Sequence, residues 1–307
     1  MARGYVSLLA IVAAIWGSSY LFIKVAVDEV EPTAMMFFRL VLASAVLVPV
    51  LAWHVGGRAA VTEMRGLGWK AWAVGFLNAA FPFTLIAWGE KYVDSGVAAI
   101  ANASVPIFVV ILAFWFNPSE RVRGVRLAGI LVGLVGVAVL TGLHPEGGWA
   151  IAGTLAIVVA SLSYAAANHF VQHNFSQTMP IIVTTASSVM GAVILLPFAA
   201  FQLPEEMPSW KAIGSIVVLG VLGTAFALLL YYRLLTSYGA ARASLVTYLL
   251  PPVALVYGVL ILDEQITLNA ALGFVLILAG VALGSGAARG LRRRGREAEA
   301  APATPRA

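Results

Sequence analysis

The stretch Leu9-Ala10-Ile11-Val12-Ala13-Ala14 is repeated, with one substitution, as Leu155-Ala156-Ile157-Val158-Val159-Ala160 in the other half of the chain. This repetition is the feature of the sequence that says most about the fold. Both copies lie in long apolar segments, Tyr5–Val27 and Ala150–Val171. A helix of about 20 apolar residues crosses the roughly 30 Å hydrocarbon core of a bilayer. The sequence therefore predicts membrane-spanning helices that belong to an internal duplication.

Further matches occur in the same order in both halves. Pro32 and Pro49 are separated by as many residues as Pro180 and Pro197. A single match could arise by chance, but several matches in the same order indicate an internal repeat. The remaining matches are Trp69-Lys70-Ala71 with Trp210-Lys211-Ala212, Tyr92 to Pro106 with Tyr238 to Pro252, and Glu120 to Gly136-Val137-Ala138 with Glu264 to Gly280-Val281-Ala282.

The composition points to a membrane protein. Of 307 residues, 61% are hydrophobic and 11% are charged, whereas soluble domains have about 45–50% and roughly 25%. This excludes a soluble enzyme, a disordered protein and a nucleic-acid binder, despite the net charge of +5. Because the chain has no cysteine, disulfides, zinc–thiolate sites and thiol nucleophiles are excluded as well.

Polar breaks divide the chain into ten candidate spans, which predicts an all-α integral membrane protein with ten transmembrane helices. The first is too long for the apolar region of a signal peptide, so we expect it to be retained. Residues 289–307 form a basic tail that we expect to be disordered. The spans are Tyr5–Val27, Thr33–Trp53, Ala71–Trp88, Ser95–Phe116, Val125–Thr141, Ala150–Val171, Ile181–Phe201, Ala212–Tyr232, Ala243–Leu262 and Ala270–Ala288.

Each half of the chain holds five spans, in residues 5–141 and 150–288. Because five is odd, the halves must insert with opposite orientations, as two inverted five-helix repeats. Many secondary transporters are built from inverted repeats that move about a shared site near the midplane. The architecture therefore favours a carrier.

The basic residues predict the topology. Fifteen of the 19 Lys and Arg residues fall on the side of the two termini, and only Lys91 and Lys211 fall on the other. Lys24 and Arg39 lie within spans. Since basic loops remain in the cytoplasm, both termini are expected there, in an inner or plasma membrane. The positive charge then reflects topology and anionic membrane lipids rather than nucleic acid.

Several motifs resemble the EamA domains of the drug/metabolite transporter superfamily over about residues 5–288. The resemblance implies a ten-helix inner-membrane carrier, in which spans 1–4 and 6–9 enclose the path and spans 5 and 10 are peripheral. Members mostly export amino acids, metabolites or xenobiotics, and some import. The motifs are Trp16-Gly17-Ser18-Ser19-Tyr20, Lys24, Pro32, Arg39-Leu40, Tyr92–Ala103 with Val105-Pro106, Glu120, Gly136-Val137, Leu250-Pro251-Pro252-Val253, Asp263-Glu264-Gln265-Ile266-Thr267 and Gly280-Val281-Ala282-Leu283.

Two cations lie inside spans, where charge is costly and often functional. Lys24 and Arg39 could form a cationic lining that attracts solutes bearing a carboxylate. The alternative, which we favour, is that Lys24 extends to the interface and Arg39 pairs with an acid at a span end. All fourteen carboxylates lie in loops or at span ends. Ion coupling would then depend on Glu90 or Asp94, and facilitated export without an ion is the simpler hypothesis.

Polar and aromatic side chains near the span centres predict a substrate pocket for a zwitterionic or aromatic solute. The alternative is that they only join helices, since Asn, Ser and Thr often bond between spans. The candidates for substrate binding are Trp16, Ser19, Asn78, Phe81, Asn102, Tyr164, Thr247 and Tyr248, with Arg39 as a charged lining residue.

Pro106 and Pro252 occupy matching positions, each removing a backbone hydrogen bond, and we predict that they act as hinges or gates. Gly129-x-x-x-Gly133 and Gly280-x-x-x-Gly284 are small-residue faces. We favour packing within the monomer over a homodimer for both. His169 and His173 share a helix face, but too few other ligands accompany them for metal binding. No metal or cofactor is expected.

The sequence as a whole predicts a secondary transporter of small metabolites, with efflux of amino acids or related solutes by alternating access. No phosphate-binding loop is present to drive transport with a nucleotide. No nucleophile–base set indicates an enzyme. The alternative is a lipid-handling protein, flippase-like or a scramblase. A membrane scaffold without transport is less favoured, because it would leave the duplication without a role.

Overall fold

The structure is a computed structural model that describes residues 2–116, 124–142, 147–239, 243 and 245–284. The basic tail at 289–307 and Glu120 lie outside the described residues, and Gly284 is the last described residue. Within the described ranges every regular element is helical. Seven helices are long and apolar enough to cross a membrane, and three further apolar helices are shorter.

Twelve helices, labelled here in chain order, make up the described fold. Most coincide with the segments expected from the polar breaks, and α3 is a short helix in the loop that follows α2. The helices are α1 (Ala2–Val27), α2 (Pro32–Val55), α3 (Gly57–Gly66), α4 (Trp69–Glu90), α5 (Ser95–Asn102), α6 (Val105–Phe116), α7 (Val125–Gly142), α8 (Gly148–Asn174), α9 (Pro180–Ala199), α10 (Trp210–Tyr238), α11 (Val246–Ile261) and α12 (Leu268–Gly284).

The local sequence accounts for several helix ends. Pro32 and Pro180 stand at the first positions of α2 and α9, where a missing N–H costs nothing. The hydroxyl of Ser209 accepts a hydrogen bond from the Ala212 N–H and caps α10. Gly239 ends α10 with a φ of 85°, a conformation that favours glycine.

Three of the long segments are irregular at mid-length. α4 contains a π-helical turn at Phe76–Ala80, and α10 contains one at Val221–Phe226. Ala103 and Ser104 separate α5 from α6, just before Pro106. π turns and broken helices leave backbone carbonyls for other partners, and in membranes they occur where they line a cavity or are buried in protein.

The main helix pairs each join a helix of one half of the chain to a helix of the other half. α1 packs against α10 and α11, while α8 packs against α4, α5 and α6. α2 packs against α9, and α7 against α12. Where α7 meets α12, a Cβ added at Gly280 would lie only 2.5 Å from the Cα of Gly133. These glycines therefore pack within the molecule, as favoured above.

The outer surface is apolar, as expected where lipid surrounds a protein. Large side chains such as Leu131, Leu196 and Val275 are exposed on α7, α9 and α12. Much of the interior consists of alanine, serine and glycine, which allow close helix packing. The fold is thus a multi-pass membrane bundle, and its interior holds a cavity.

Candidate functional site

A cavity of about 840 Å³ lies between the two halves of the chain. Of the sequence-predicted residues, nine line it and two do not. Phe81 is instead stacked on Phe76, with ring centroids 5.1 Å apart, and Pro252 is exposed within α11. The nine lining residues are Trp16, Ser19, Arg39, Asn78, Asn102, Pro106, Tyr164, Thr247 and Tyr248.

Phe83, two residues further along α4, lines the cavity in place of Phe81. The two side chains are about 200° apart around a helix axis and therefore face different sides of α4. Sequence depth placed Phe81 correctly along the helix but could not give its face. Pro252 differs from Pro106 for a related reason, since its helix is continuous there whereas α5 and α6 are separate helices.

Arg39 is buried in the cavity wall, with 6% of its surface exposed. Its Nε donates a hydrogen bond to Thr224 Oγ1 at 2.9 Å, and its Cζ lies 4.1 Å from the ring centroid of Phe83. Nη1 lies 3.9 Å from Met36 Sδ. Among the described residues, no carboxylate oxygen lies within 4.0 Å of the guanidinium. The expected ion pair with a span-end acid is therefore not formed.

Asn102 is held where α5 ends. Its Nδ2 donates to Tyr20 Oη at 2.8 Å, and its Oδ1 accepts a hydrogen bond from Ser161 Oγ at 3.2 Å. These bonds join α5 to α1 and α8. Tyr20 also lines the cavity, so its phenol and the Asn102 amide face the same space as Trp16.

The two π turns contribute polar groups to the wall from opposite halves. Asn78, in the first turn, donates from Nδ2 to Ser187 Oγ at 3.3 Å. The carbonyl of Leu77 accepts a hydrogen bond from Ser163 at 2.8 Å. Thr224, in the second turn, holds Arg39 and donates to the Leu219 carbonyl at 2.9 Å. The irregular turns thus position side chains at the centre of the bundle.

One end of the cavity, here called the open end, reaches the surface at Gln172, Thr178 and Pro180. Leu235 of α10 also lines it, and one turn later the Tyr238 ring packs on Tyr5, 5.2 Å away. The open end is therefore on the same side as the chain's N-terminus.

At the opposite end, here called the closed end, the lining ends with the buried side chains of Ile23 and Ile86. Lys24 Nζ donates to the carbonyls of Glu90 and Val93, at 2.8 and 2.9 Å. Lys24 thus binds two backbone carbonyls and does not line the cavity. The Glu90 side chain is 0% exposed, and no described residue bonds its two carboxyl oxygens.

Two carboxylates from different halves bind helix N-termini at the closed end. Glu264 Oε1 accepts from the Ser95 N–H at 2.8 Å, and Oε2 accepts from Ser95 Oγ at 2.8 Å and the Gly96 N–H at 3.2 Å. Glu29 accepts from the N–H and the Oγ of Ser209, both at 2.6 Å. We call these contacts the Glu264 clamp and the Glu29 clamp.

Electrostatics favour both clamps. The N-terminus of a helix carries partial positive charge and unpaired N–H groups, so it stabilises a carboxylate. The side-chain and backbone hydrogen bonds from Ser209 lower the pKa of the Glu29 carboxyl. A separate ion pair, Lys91 Nζ to Glu31 Oε1 at 2.9 Å, lies within the first half of the chain.

The clamps, Phe83 and Glu90's burial were not predicted as site features. Thr224 was not among the site residues predicted from the sequence. It lies 185 residues from Arg39 along the chain, and no sequence pattern links the two. No group of three or more His, Cys, Asp or Glu residues that could hold a metal ion was found in the described ranges. His169 Nε2 lies 2.9 Å from the Val109 carbonyl, joining α8 to α6.

A cavity that carries polar groups inside a bundle of apolar helices is typical of a multi-pass membrane transporter. The chain belongs to the EamA-like transporter family, whose model matches residues 4–142 and 151–285. This confirms the resemblance drawn from the sequence.

Relatives and a solved structure resemble nearly the whole chain. An uncharacterized transporter of Archaeoglobus fulgidus is 30% identical over 89% of this chain and 95% of its own. A probable amino-acid metabolite efflux pump of Escherichia coli is 27% identical over 91% and 93%, respectively. A crystal structure at 19% identity matches with a TM-score of 0.65, covering 94% of this chain and 99% of that one, which supports the fold alone.

Proposed function

We propose that the protein is a secondary transporter that exports small metabolites, amino acids or related solutes, by alternating access. One observation carries the proposal: the central cavity reaches the surface at the open end and is sealed at the closed end. A solute that enters at the open end can leave at the other only if the seal opens. No cofactor is required, and the partners are the solute and the membrane lipids.

The helix pairing supports ten spans in two inverted five-helix repeats, in residues 5–141 and 150–288. If the halves are related by a two-fold axis in the membrane plane, the contacts of α1 must have counterparts in the contacts of α8. α1 packs on α10 and α11, and α8 packs on α4 and the α5–α6 segment, which are the corresponding spans. Transporters of this design move one part against another around a central site.

The clamps provide the contacts that would change during that movement. Glu264 belongs to the second half and binds Ser95 of the first, whereas Glu29 belongs to the first half and binds Ser209 of the second. Opening the closed end separates both pairs. The Ala103–Ser104 break beside Pro106 and the two π turns are the proposed hinges.

The distribution of basic residues supports cytoplasmic termini. Since the open end is on the side of the N-terminus, the cavity would face the cytoplasm, ready to accept a solute for export. The E. coli relative named for amino-acid metabolite efflux supports the same direction. The pocket residues proposed from the sequence, Trp16 and Asn102 among them, would contact the solute.

The test uses cysteine accessibility, which is free of background because the chain has no cysteine. Ser19→Cys places a thiol on the cavity wall with little change in size. A membrane-impermeant thiol reagent should label it from the cytoplasmic side, and Glu264→Gln in the same protein should add labelling from the outside. Phe201→Cys, whose side chain is 90% exposed near the end of α9, reports the sidedness of the vesicles.

Labelling of Ser19→Cys from one side alone, with and without Glu264→Gln, would contradict alternating access. The lipid-handling alternative is tested in the same vesicles with fluorescent phospholipids. Rapid lipid exchange between leaflets, without flux of any small solute, would replace the proposal with a scramblase.

A further inference from the structure

We propose that the cavity binds small organic monoanions, namely monocarboxylates with an aromatic or large apolar body, in preference to zwitterionic amino acids. This inference rests on the proposed function, because it names the substrate class of the same site. It is carried by the charge of the cavity wall and by the geometry around Arg39.

The cavity wall has one charge. Among the described residues that line it, Arg39 is the one ionised side chain, and neither Asp nor Glu is present. The carboxyl of Glu90 is fully buried at the closed end and is not part of the lining. A solute with one negative charge would therefore neutralise the site.

The guanidinium of Arg39 has donors to spare. It carries five N–H groups, and the described residues use Nε for Thr224 and Nη1 for Met36 Sδ. No described residue accepts a hydrogen bond from Nη2. Phe83 covers one face of the group, so a carboxylate would approach in the guanidinium plane, where two parallel N–H···O bonds can form.

An α-ammonium group would be unfavourable in the same place. In an amino acid it lies one carbon from the carboxylate, so it would lie within several ångströms of Arg39. Two like charges at that distance repel strongly when water is partly excluded. The described wall offers the ammonium neutral hydroxyl and amide groups, but no counter-charge.

The rest of the wall suits an aromatic or large apolar body. The Trp16 and Tyr231 rings lie 5.1 Å apart, and those of Phe83 and Tyr164 lie 6.4 Å apart. All four line the cavity. Rings arranged in this way offer faces and edges to another ring at favourable separations.

A monoanionic substrate also explains export without a coupling carboxylate. A negative-inside membrane potential expels an anion that moves as a net charge. Each 100 mV then supports a concentration ratio of about fiftyfold for one charge. The electrical potential can therefore drive export without ion coupling.

The experiment compares three ligands with the same phenyl group and differing charge: 3-phenylpropionate, L-phenylalanine and phenethylamine. Binding to the purified protein is measured by thermal shift and calorimetry, and exchange by counterflow in proteoliposomes. We expect 3-phenylpropionate to bind about tenfold or more tightly than phenylalanine, because the ammonium is absent. Phenethylamine should show no binding.

Variants and the membrane potential sharpen the test. Arg39→Gln should abolish the preference for the anion, whereas Arg233→Gln, an exposed arginine outside the cavity, should preserve it. An imposed inside-negative potential should accelerate efflux of 3-phenylpropionate from proteoliposomes in which the cytoplasmic side faces inward.

Equal or tighter binding of phenylalanine by the unaltered protein would overturn the inference, as would the absence of binding by all three ligands. Neither result depends on the folding of a variant. Both would leave alternating access standing, because the Ser19→Cys labelling uses no ligand and can succeed or fail independently.

Discussion

The two ends of the cavity differ in how the halves of the chain meet. At the closed end, Glu264 and Glu29 each join one half to a helix N-terminus of the other. At the open end, Gln172, Thr178 and Tyr232 face the cavity from its rim. The closed end is thus held by a few short, charge-assisted contacts. Such contacts can be broken together without disturbing the apolar packing of the bundle.

The contacts that must break before the cavity opens to the other side are therefore concentrated at the closed end. For the partly buried Glu264, hydrogen bonds to its charged carboxylate contribute about 1.5–3 kcal/mol each, comparable to the few kcal/mol that separate two populated conformations. The hydrogen bonds of Asn102 and the close approach of Gly133 to Gly280 also join helices. We expect the following changes to act on this difference between the two ends, with the largest effect given first.

Locking the closed end should abolish transport. In Ser95→Cys/Glu264→Cys, a short bifunctional thiol reagent would join the halves permanently, and a cleavable reagent would allow flux to return on reduction. The measurement is solute counterflow in proteoliposomes before and after cross-linking. The control is Glu31→Cys/Lys91→Cys, which links two residues of the first half. Equal inhibition by both cross-links would contradict the role of the clamp.

Weakening the Glu264 clamp should favour opening of the closed end. Glu264→Gln keeps the size of the side chain but loses the charge that accepts from Ser95 and Gly96. We expect the rate of labelling at Ser19→Cys from the closed end to rise by about tenfold, the effect of roughly 1.4 kcal/mol. Glu63→Gln, at an exposed acid in α3, should leave the rate unchanged.

Thr224→Val should weaken the binding of carboxylates to Arg39 by about three- to tenfold, because it removes the hydroxyl that accepts from Nε. The ends of the cavity should be unaffected, so the labelling pattern of Ser19→Cys should stay as it was. Calorimetry with 3-phenylpropionate gives the affinity. Unchanged affinity would indicate that Thr224 does not position the guanidinium.

The Glu29 clamp predicts how the closed end responds to acid. Since the hydrogen bonds from Ser209 lower the pKa of Glu29, the carboxylate stays charged down to a pH below the ordinary glutamate value of about 4.3. The contribution of this clamp is therefore complete at neutral pH and is lost as the pH falls through the lowered pKa. The ratio of closed-end to open-end labelling rates at the same Ser19→Cys thiol, in which the thiolate fraction cancels, should be constant from pH 8 to about 5. A rise between pH 7 and 6 would contradict this.

The helical segments and the duplication could be predicted from the sequence because they depend on local signals. The length of an apolar run predicts a span, and Pro32 and Pro180, which stand just before such runs, mark the starts of two helices. Trp16 and Asn102 could be placed near the cavity because depth in a span follows from counting residues.

The rest depends on contacts between distant residues. Nothing in the sequence pairs Ser95 with Glu264, and only the packing of α5 against α11 brings them together. Phe83 rather than Phe81 faces the cavity, and depth along the span does not distinguish the two residues. Arg39 was expected to pair with an acid, but Thr224 and Phe83 surround it instead.

The most direct test of alternating access measures distances at both ends of the same protein. Spin labels at Asp28→Cys and Gln265→Cys would report the closed end, and labels at Thr62→Cys and Gln177→Cys the open end; all four positions are exposed. Our account predicts that Glu264→Gln lengthens the first distance and shortens the second. Distances that stay fixed at both ends, or that lengthen together, would contradict it.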